Sequence, residues 1–262
     1  MKEDILRFLP QDHPWADRIQ IHDVLPSTNT YAKELARQGA PEGTVVIAGQ
    51  QTAGRGRLER SFHSPQGTGI YMSLILRPRC PAEQLLHLTC ATAVAACDAL
   101  EQTCGLRPQI KWTNDLTLNG KKLGGILTEL VFGSGTNVSA VVIGIGINCR
   151  LSRPPVKLKN IACSLSDFTD KTELAPLAAA LIAAFEQMSR QFLREQAAIM
   201  EAYRRNCITL GRQIKILYPS GTETGIAEQV NDDGSLAVVM ENGLRKTVIA
   251  GQVSVRGLWD YI

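Results

Sequence analysis

Apolar residues recur along this chain with two periods. From Ser27–Thr28 to about Gln38 they return at helical spacing, with a hydroxyl side chain to cap the start and Gly39 to end the last turn. Pro81 opens a second such stretch, with Leu85, Leu88, Thr92 and Ala95 on one face, which ends before Gly105. A third runs from Pro176 toward Asn206. It is apolar at Leu177, Leu181 and Phe185, and Phe192 and Tyr203 continue the inward face. Each is predicted as a helix.

Between them the pattern is that of strands. Thr44–Ala48 and Gly69–Leu76 are rich in β-branched and aromatic residues, and Ile110–Trp112 and Leu116–Leu118 follow. Asn119–Gly120 is a two-residue hairpin signal leading into Lys122–Val131, after which Asn137–Asn148 forms another apolar run. Hairpin-linked strands outnumber helices, so the main domain is predicted as α+β, a mixed and mainly antiparallel sheet covered by helices. The strand at Asn137–Asn148 is a candidate sheet edge for dimerisation or for docking a partner.

The texture changes near Cys207–Gly211. Five short runs follow, at Gln213–Tyr218, Gly225–Val230, Leu236–Met240, Arg245–Ile249 and Val253–Arg256. Ser220–Gly221, Asp232–Asp233–Gly234 and Asn242–Gly243 supply the turns between them. This spacing predicts a small β-barrel, dividing the chain into residues 1–210 and 211–262.

Composition narrows the class. Hydrophobic residues make up 44% and charged residues 20% of the 262 positions, and the net charge is +3, too small for a nucleic-acid coat. No apolar run reaches membrane-spanning length, and Glu3 and Asp4 stand where a signal peptide carries positive charge, so a cytoplasmic protein is expected. The seven cysteines include no CxxC pair, which argues against a zinc ribbon or a thioredoxin-like motif and for free thiols in a reducing cytosol. Cys90, Cys97 and Cys104 fall seven apart within one predicted helix.

Two segments carry the candidate chemistry. In Gly54–Arg55–Gly56–Arg57–Leu58–Glu59–Arg60, interleaved glycines and arginines suit a loop that wraps phosphate or carboxylate. The spacing is that of neither a P-loop nor a Rossmann fingerprint, and a merely solvated basic loop is the competing reading. In Lys111–Trp112–Thr113–Asn114–Asp115, the hairpin at Asn119–Gly120 brings Asn114 and Asp115 back toward Lys122. A carboxylate beside an ammonium fits metal–phosphate chemistry, against the plainer readings of a turn aspartate and a strand-edge lysine. The paired glycines Gly124–Gly125 favour close approach of a ligand. The four histidines show no metal spacing, and no Ser sits in a G-x-S-x-G elbow. Residue chemistry alone thus reaches an anion-binding enzyme without naming its substrate.

Five segments taken in order are more specific. Ser27–Thr28–Asn29, Gly54–Arg55–Gly56–Arg57, Lys111–Trp112–x–Asn114–Asp115, Lys122–Leu123–x–Gly125–Ile126–Leu127–x–Glu129 and Gly144–x–Gly146–Ile147–Asn148 follow the sequence of motifs in biotin protein ligases, which this chain resembles over nearly its whole length. The residues ahead of the first helix are too few for a helix-turn-helix, so the resemblance is to the short, enzyme-only class, with no DNA and no membrane partner expected. It implies a class II synthetase-like catalytic domain followed by an SH3-like barrel. It also implies a two-step reaction: ATP and Mg²⁺ activate biotin to biotinyl-5′-adenylate, and a lysine of an acceptor, the biotin carboxyl carrier domain of acetyl-CoA carboxylase, then takes the biotin. The chain is compatible with a monomer or a homodimer.

Carried over by position, the resemblance gives Ser27, Thr28, Asn29, Gln51, Arg55, Gly56, Arg57, Lys122, Gly125 and Gly144 to biotin. It gives Arg55, Arg57, Asn114, Lys122, Asn148 and Arg256 to ATP, and the catalytic roles to Lys122, Arg57 and Asp115, with the metal carried on ATP. Leu58–Glu59 departs from the Arg–Gly or Gln–Gly usual in the family, and Phe62 stands where a tryptophan is common. The alternatives are a lipoate or octanoate ligase of the same fold and a non-catalytic biotin sensor.

Overall fold

The computed structural model describes residues 1–133, 137–150, 155–218, 221–250 and 254–257. In chain order its elements are α1 (Lys2–Phe8), β1 (Ile19–Leu25), α2 (Thr28–Arg37), β2 (Val45–Gln51), β3 (Gly69–Leu76), α3 (Leu88–Cys104), β4 (Gln109–Lys111) and β5 (Asp115–Leu118). After these come β6 (Lys121–Phe132), β7 (Val138–Asn148), α4 (Leu174–Gln191), α5 (Gln196–Asn206), β8 (Gln213–Tyr218), β9 (Gly221–Val230), β10 (Leu236–Met240), β11 (Arg245–Val248) and β12 (Ser254–Gly257).

Seven strands form one sheet in the order β1-β2-β3-β7-β6-β5-β4, in which only β1 and β2 run parallel. Alternation along the strands divides its residues between two faces. Met72, Leu74, Ile126, Ile143 and Ile145 point into the larger core, with α3, α4 and α5 packed on them. On the opposite face Ile75, Val131, Ala140 and Val142 pack beneath Ala32 and Ala36 of α2 in a smaller core. Further along that second face the apolar side chains give way to Ser73, Gly144, Gly146, Gly125 and Asp115. Register sets Ser73 opposite Gly144 and Gly144 opposite Leu127, while Gly146 pairs with Gly125 and Gly125 with Asp115. The glycines make this end of the face a shallow floor, with the start of α2 over Ser73 and Gly144.

Several expectations are corrected. The strand at 137–148 lies inside the sheet, hydrogen-bonded to β3 on one side and β6 on the other, and is no edge. Besides the outer strands β1 and β4, the far half of β6 is exposed as an edge, because β5 pairs only as far as Gly125 and no described strand continues beside Thr128–Phe132. The helix predicted from Pro81 begins as a 3-10 turn at Ala82–Leu85, and the α-helix itself starts at Leu88. The long helix to Asn206 is broken after Gln191. There the carbonyl of Phe192 bonds Nε2 of the buried His87 (2.9 Å), whereas a continuous helix would offer it to an amide four residues on. The segments α1 and β1 escaped prediction altogether: α1 is short, and β1 lacks strict alternation.

The C-terminal strands form a separate antiparallel sheet, ordered β11-β10-β9-β8-β12. It touches the larger unit through the turn at Asn231–Ser235. Trp112, buried beside the main sheet, donates its indole N–H to the carbonyl of Gly234 (2.9 Å), and its backbone N–H goes to Oγ1 of Thr209 (2.8 Å). Arg204 of α5 donates Nε to the carbonyl of Val230 and pairs with Asp232. Among the described residues no helix is long and apolar enough to cross a membrane.

Candidate active site

The rim of the glycine floor is built first by the start of α2. Ser27 caps the helix, accepting the backbone N–H of Thr30 (3.4 Å). Thr28 donates its backbone N–H (2.8 Å) and its hydroxyl (3.1 Å) to Oε1 of Gln51, and Gln51 donates Nε2 to Oγ of Ser64 (2.9 Å). Ser73, reaching up from the floor, bonds Oγ1 of Thr28 (2.8 Å) and donates to Oδ1 of Asn29 (2.6 Å). The chain from Ser64 through Gln51, Thr28 and Ser73 to Asn29 is therefore a continuous polar network, with Thr28, Asn29, Ser64 and Ser73 all buried.

Asn29 is committed within this network. Its Nδ2 donates to the carbonyl of Leu127 (3.1 Å) and to Oε2 of Glu129 (3.0 Å). The resemblance places Gly144 beneath a ligand, but its missing side chain serves Asn29 directly: a Cβ there would lie 1.9 Å from Asn29 Oδ1. A Cβ at Gly146 would meet the Phe62 ring at 2.4 Å, and one at Gly125 would sit 3.2 Å from Asp115 Oδ1 and 3.3 Å from Lys122 Nζ. Each glycine thus admits a particular neighbour.

The arginine loop folds over the floor. Phe62 donates its N–H to Gly54 O (2.8 Å) and Gly56 donates to Arg60 O (2.7 Å), closing a narrow hairpin. At its tip Leu58 and Glu59 hold φ of 52° and 57°. Glu59, where the resembled family usually carries glycine, thus stands in the left-handed region that glycine enters most easily, at a cost of about 1 kcal/mol for other residues. The two arginines are tied down at different points. Arg55 NH1 and NH2 approach Glu129 Oε2 and Oε1 at 3.3 and 3.2 Å. Arg57 NH1 donates to Asn114 Oδ1 (3.0 Å), and Asn114 in turn donates Nδ2 to Ile126 O (2.9 Å). Burial lowers the pKa of Arg57 from the usual guanidinium value and Arg60 adds to this, with the charge of Asp115 opposing it. For Glu129, burial alone favours the neutral acid. Hydrogen bonds from Lys33 and Asn29 and the charges of Lys33 and Arg55 outweigh it and hold the carboxyl below its ordinary value.

The hairpin between β5 and β6 closes the far side. Asn119 and Gly120 both take positive φ, as a tight two-residue turn requires. The result sets Lys122 Nζ 2.5 Å from Asp115 Oδ1, with the lysine part-buried. Asn148 is buried one strand further in, its Nδ2 given to Cys163 O (3.0 Å). The side chain of Arg256 lies outside the described residues. Ser27 through Asn29, Gln51, Arg55, Arg57, Asn114, Asp115, Lys122 and the glycines, all expected from the sequence, lie in one region. Ser73 and Lys33, single polar residues in otherwise ordinary elements, were not expected there, and Glu129 had no expected role although it stands at the end of a quoted motif.

A cationic loop over a glycine-floored sheet, with a Lys–Asp pair alongside, suits an enzyme that handles carboxylate and phosphate. Comparison places the chain among such enzymes. Residues 21–148 match the biotin/lipoate A/B protein ligase family, and residues 209–256 match the biotin protein ligase C-terminal domain. The bifunctional ligase/repressor BirA of Bacillus subtilis is 38% identical over 251 residues, covering 94% of this chain and 77% of that protein. The biotin–[acetyl-CoA-carboxylase] ligase of Paracoccus denitrificans is 33% identical, covering 88% and 98%. Among solved structures, the Aquifex aeolicus biotin protein ligase in complex with biotin and ATP superposes with a TM-score of 0.79 at 26% identity, covering 92% of this chain and 99% of that one. This chain belongs to the biotin protein ligase family, and it is an enzyme of the ligase class.

Proposed function

We propose that this chain condenses biotin with ATP to biotinyl-5′-adenylate, releasing pyrophosphate, and passes biotin to a lysine of a carrier domain such as that of acetyl-CoA carboxylase, releasing AMP. The observation that carries this reading is the convergence of Arg57 on Asn114 (3.0 Å) beside the Lys122–Asp115 pair (2.5 Å), at the edge of the glycine floor. Its support from outside is the biotin and ATP bound by the Aquifex aeolicus relative.

In the first step biotin's carboxylate attacks the α-phosphorus of ATP, and negative charge grows on the phosphate oxygens. Fixed cations in a water-poor site stabilise that charge more than they stabilise the reactants. Lys122 and Arg57 would supply these cations, and Arg55 with the loop amides around Gly56 would hold the carboxylate. Asp115 would keep Lys122 aimed. The Ser27–Thr28–Gln51 rim offers donors and acceptors suited to a ureido ring. Asn114, Asn148 and Arg256 would serve the nucleotide, an assignment that rests on the resemblance. In the second step the acceptor amine attacks the acyl carbon and AMP departs, with the same cations stabilising the leaving phosphate. Asp115 is the carboxylate that would meet Mg²⁺ carried on the nucleotide. When bound, Mg²⁺ offsets charge on the phosphates. In this reading residues 1–210 form the catalytic unit, and residues 211–262 brace it through Trp112 and Gly234.

The test is mass spectrometry of a biotin carboxyl carrier domain after incubation with the full chain, ATP, Mg²⁺ and biotin. A mass increase of one biotin, abolished when the acceptor lysine is replaced, is expected, and lipoate should not compete. No adduct at saturating biotin and ATP would overturn the proposal.

A further inference from the structure

Glu129 is a heavily engaged carboxylate near the site, and the proposed chemistry leaves it without a task. Its side chain is only 18% exposed, yet three donors from two separate segments converge on it. Lys33 Nζ meets Oε1 at 2.6 Å, Asn29 Nδ2 meets Oε2 at 3.0 Å, and the Arg55 guanidinium approaches both oxygens, at 3.2 and 3.3 Å. A carboxylate this well satisfied holds its partners in place, and two-point contact with a planar guanidinium fixes orientation as well as distance. Arg55 is 41% exposed, so one side of its fork is spent on Glu129 while the rest faces outward from the loop.

Charge bookkeeping points the same way. Without the Glu129 carboxylate, Lys33 and Arg55 would stand as two neighbouring cations with nothing between them, and repulsion would drive the more exposed one, Arg55, away. Asn29 would lose its charged acceptor while keeping Leu127 O and Ser73. The damage would therefore centre on the arginine loop and leave the sheet intact.

We propose that Glu129 is a positioning residue: through its carboxylate it holds Arg55 over the glycine floor, so that the guanidinium meets the substrate carboxylate already oriented. The proposal rests on the reading that Arg55 serves biotin's carboxylate. It predicts loss of ground-state binding with little loss of turnover, since the group acts before the chemical step and does not touch the reacting atoms.

Two measurements on the full chain test it. In biotin-dependent ATP–pyrophosphate exchange, Glu129→Gln should raise KM for biotin about tenfold while kcat changes less than about threefold. Glu129→Asp, which keeps the charge, should recover most of the loss. In an Arg55→Met background, Glu129→Gln should add nothing, because the residue it positions is gone. Separately, in the absence of substrates, trypsin should cut after Arg55 several-fold faster in Glu129→Gln than in the parent, as read by peptide mass mapping. An additive loss in the double variant, or a fall in kcat with KM unchanged, overturns the positioning role. An unchanged cleavage rate after Arg55 overturns the proposal whatever the activity. If the parent shows no biotin-dependent exchange, the functional reading fails, and the tryptic comparison still decides whether Glu129 holds Arg55.

Discussion

Gly144→Ala should be among the most damaging small substitutions in the chain. The added Cβ would lie 1.9 Å from Asn29 Oδ1 and 2.7 Å from its Cγ, whereas ordinary contact begins near 3.4 Å. Something must move by about 1.5 Å. Gly144 sits mid-strand in β7, hydrogen-bonded into the sheet on both sides, so the backbone is the stiffer partner and the Asn29 carboxamide must yield. Moving it breaks the 2.6 Å bond from Ser73 and disturbs those to Leu127 O and Glu129 Oε2, all in a buried setting. Overpacking together with a broken buried polar network amounts to about 3 kcal/mol. Urea denaturation reads the stability, and calorimetric titration with biotin reads the site. Asn29→Ala removes the obstacle, so the Asn29→Ala/Gly144→Ala pair should be about as stable as Asn29→Ala alone. A loss under about 1 kcal/mol for Gly144→Ala with biotin binding intact, or full additivity in the pair, would refute the packing argument.

Three further outcomes are expected. Lys122→Ala should slow pyrophosphate release at least about a hundredfold with little change in melting temperature, because the lysine is part-exposed and, among the described residues, its ammonium pairs with Asp115; parental rates would remove it from the mechanism. The stability advantage of the parent over Glu129→Gln should be full above the ordinary glutamate value of 4.5, because the folded-state pKa is lowered, and should fade as pH falls through that lowered value. Urea melts of both proteins at about pH 7 and about pH 3 check this, and an advantage that persists undiminished at the lower pH would contradict it. With a thiol reagent at about pH 8, Cys80 should react first and alone in the folded protein, since the other six thiols are buried and burial pushes Cys90, Cys97 and Cys149 up to about 12. Two or more fast thiols would argue against that packing.

Much of the fold was legible because the periodicities are local. The helix from Thr28 was bracketed by its cap and by Gly39, and β3 runs Gly69–Leu76 as expected. The Asn119–Gly120 turn, once identified, brought Asp115 and Lys122 onto one hairpin. The break after Gln191 was not legible, since the group that diverts the carbonyl of Phe192 is His87, more than a hundred positions away. Edge status was misread for the same reason: an apolar strand looks alike at the rim and in the middle of a sheet, and only pairing tells them apart.

The inventory is local in origin: where most helices and strands lie, where the texture changes near Gly211, and which residues form the ordered motifs shared with biotin protein ligases. Those are properties of local spacing and residue type. Tertiary structure alone decided what each glycine makes room for and where each arginine is anchored. The motifs that supply Asn29, Gly144, Glu129 and Arg55 are far apart in the chain, and their contacts depend on strand order and register. A one-residue slip in any of the three strands β3, β7 or β6 would turn Ser73, Gly144 or Glu129 to the other face and dissolve the network.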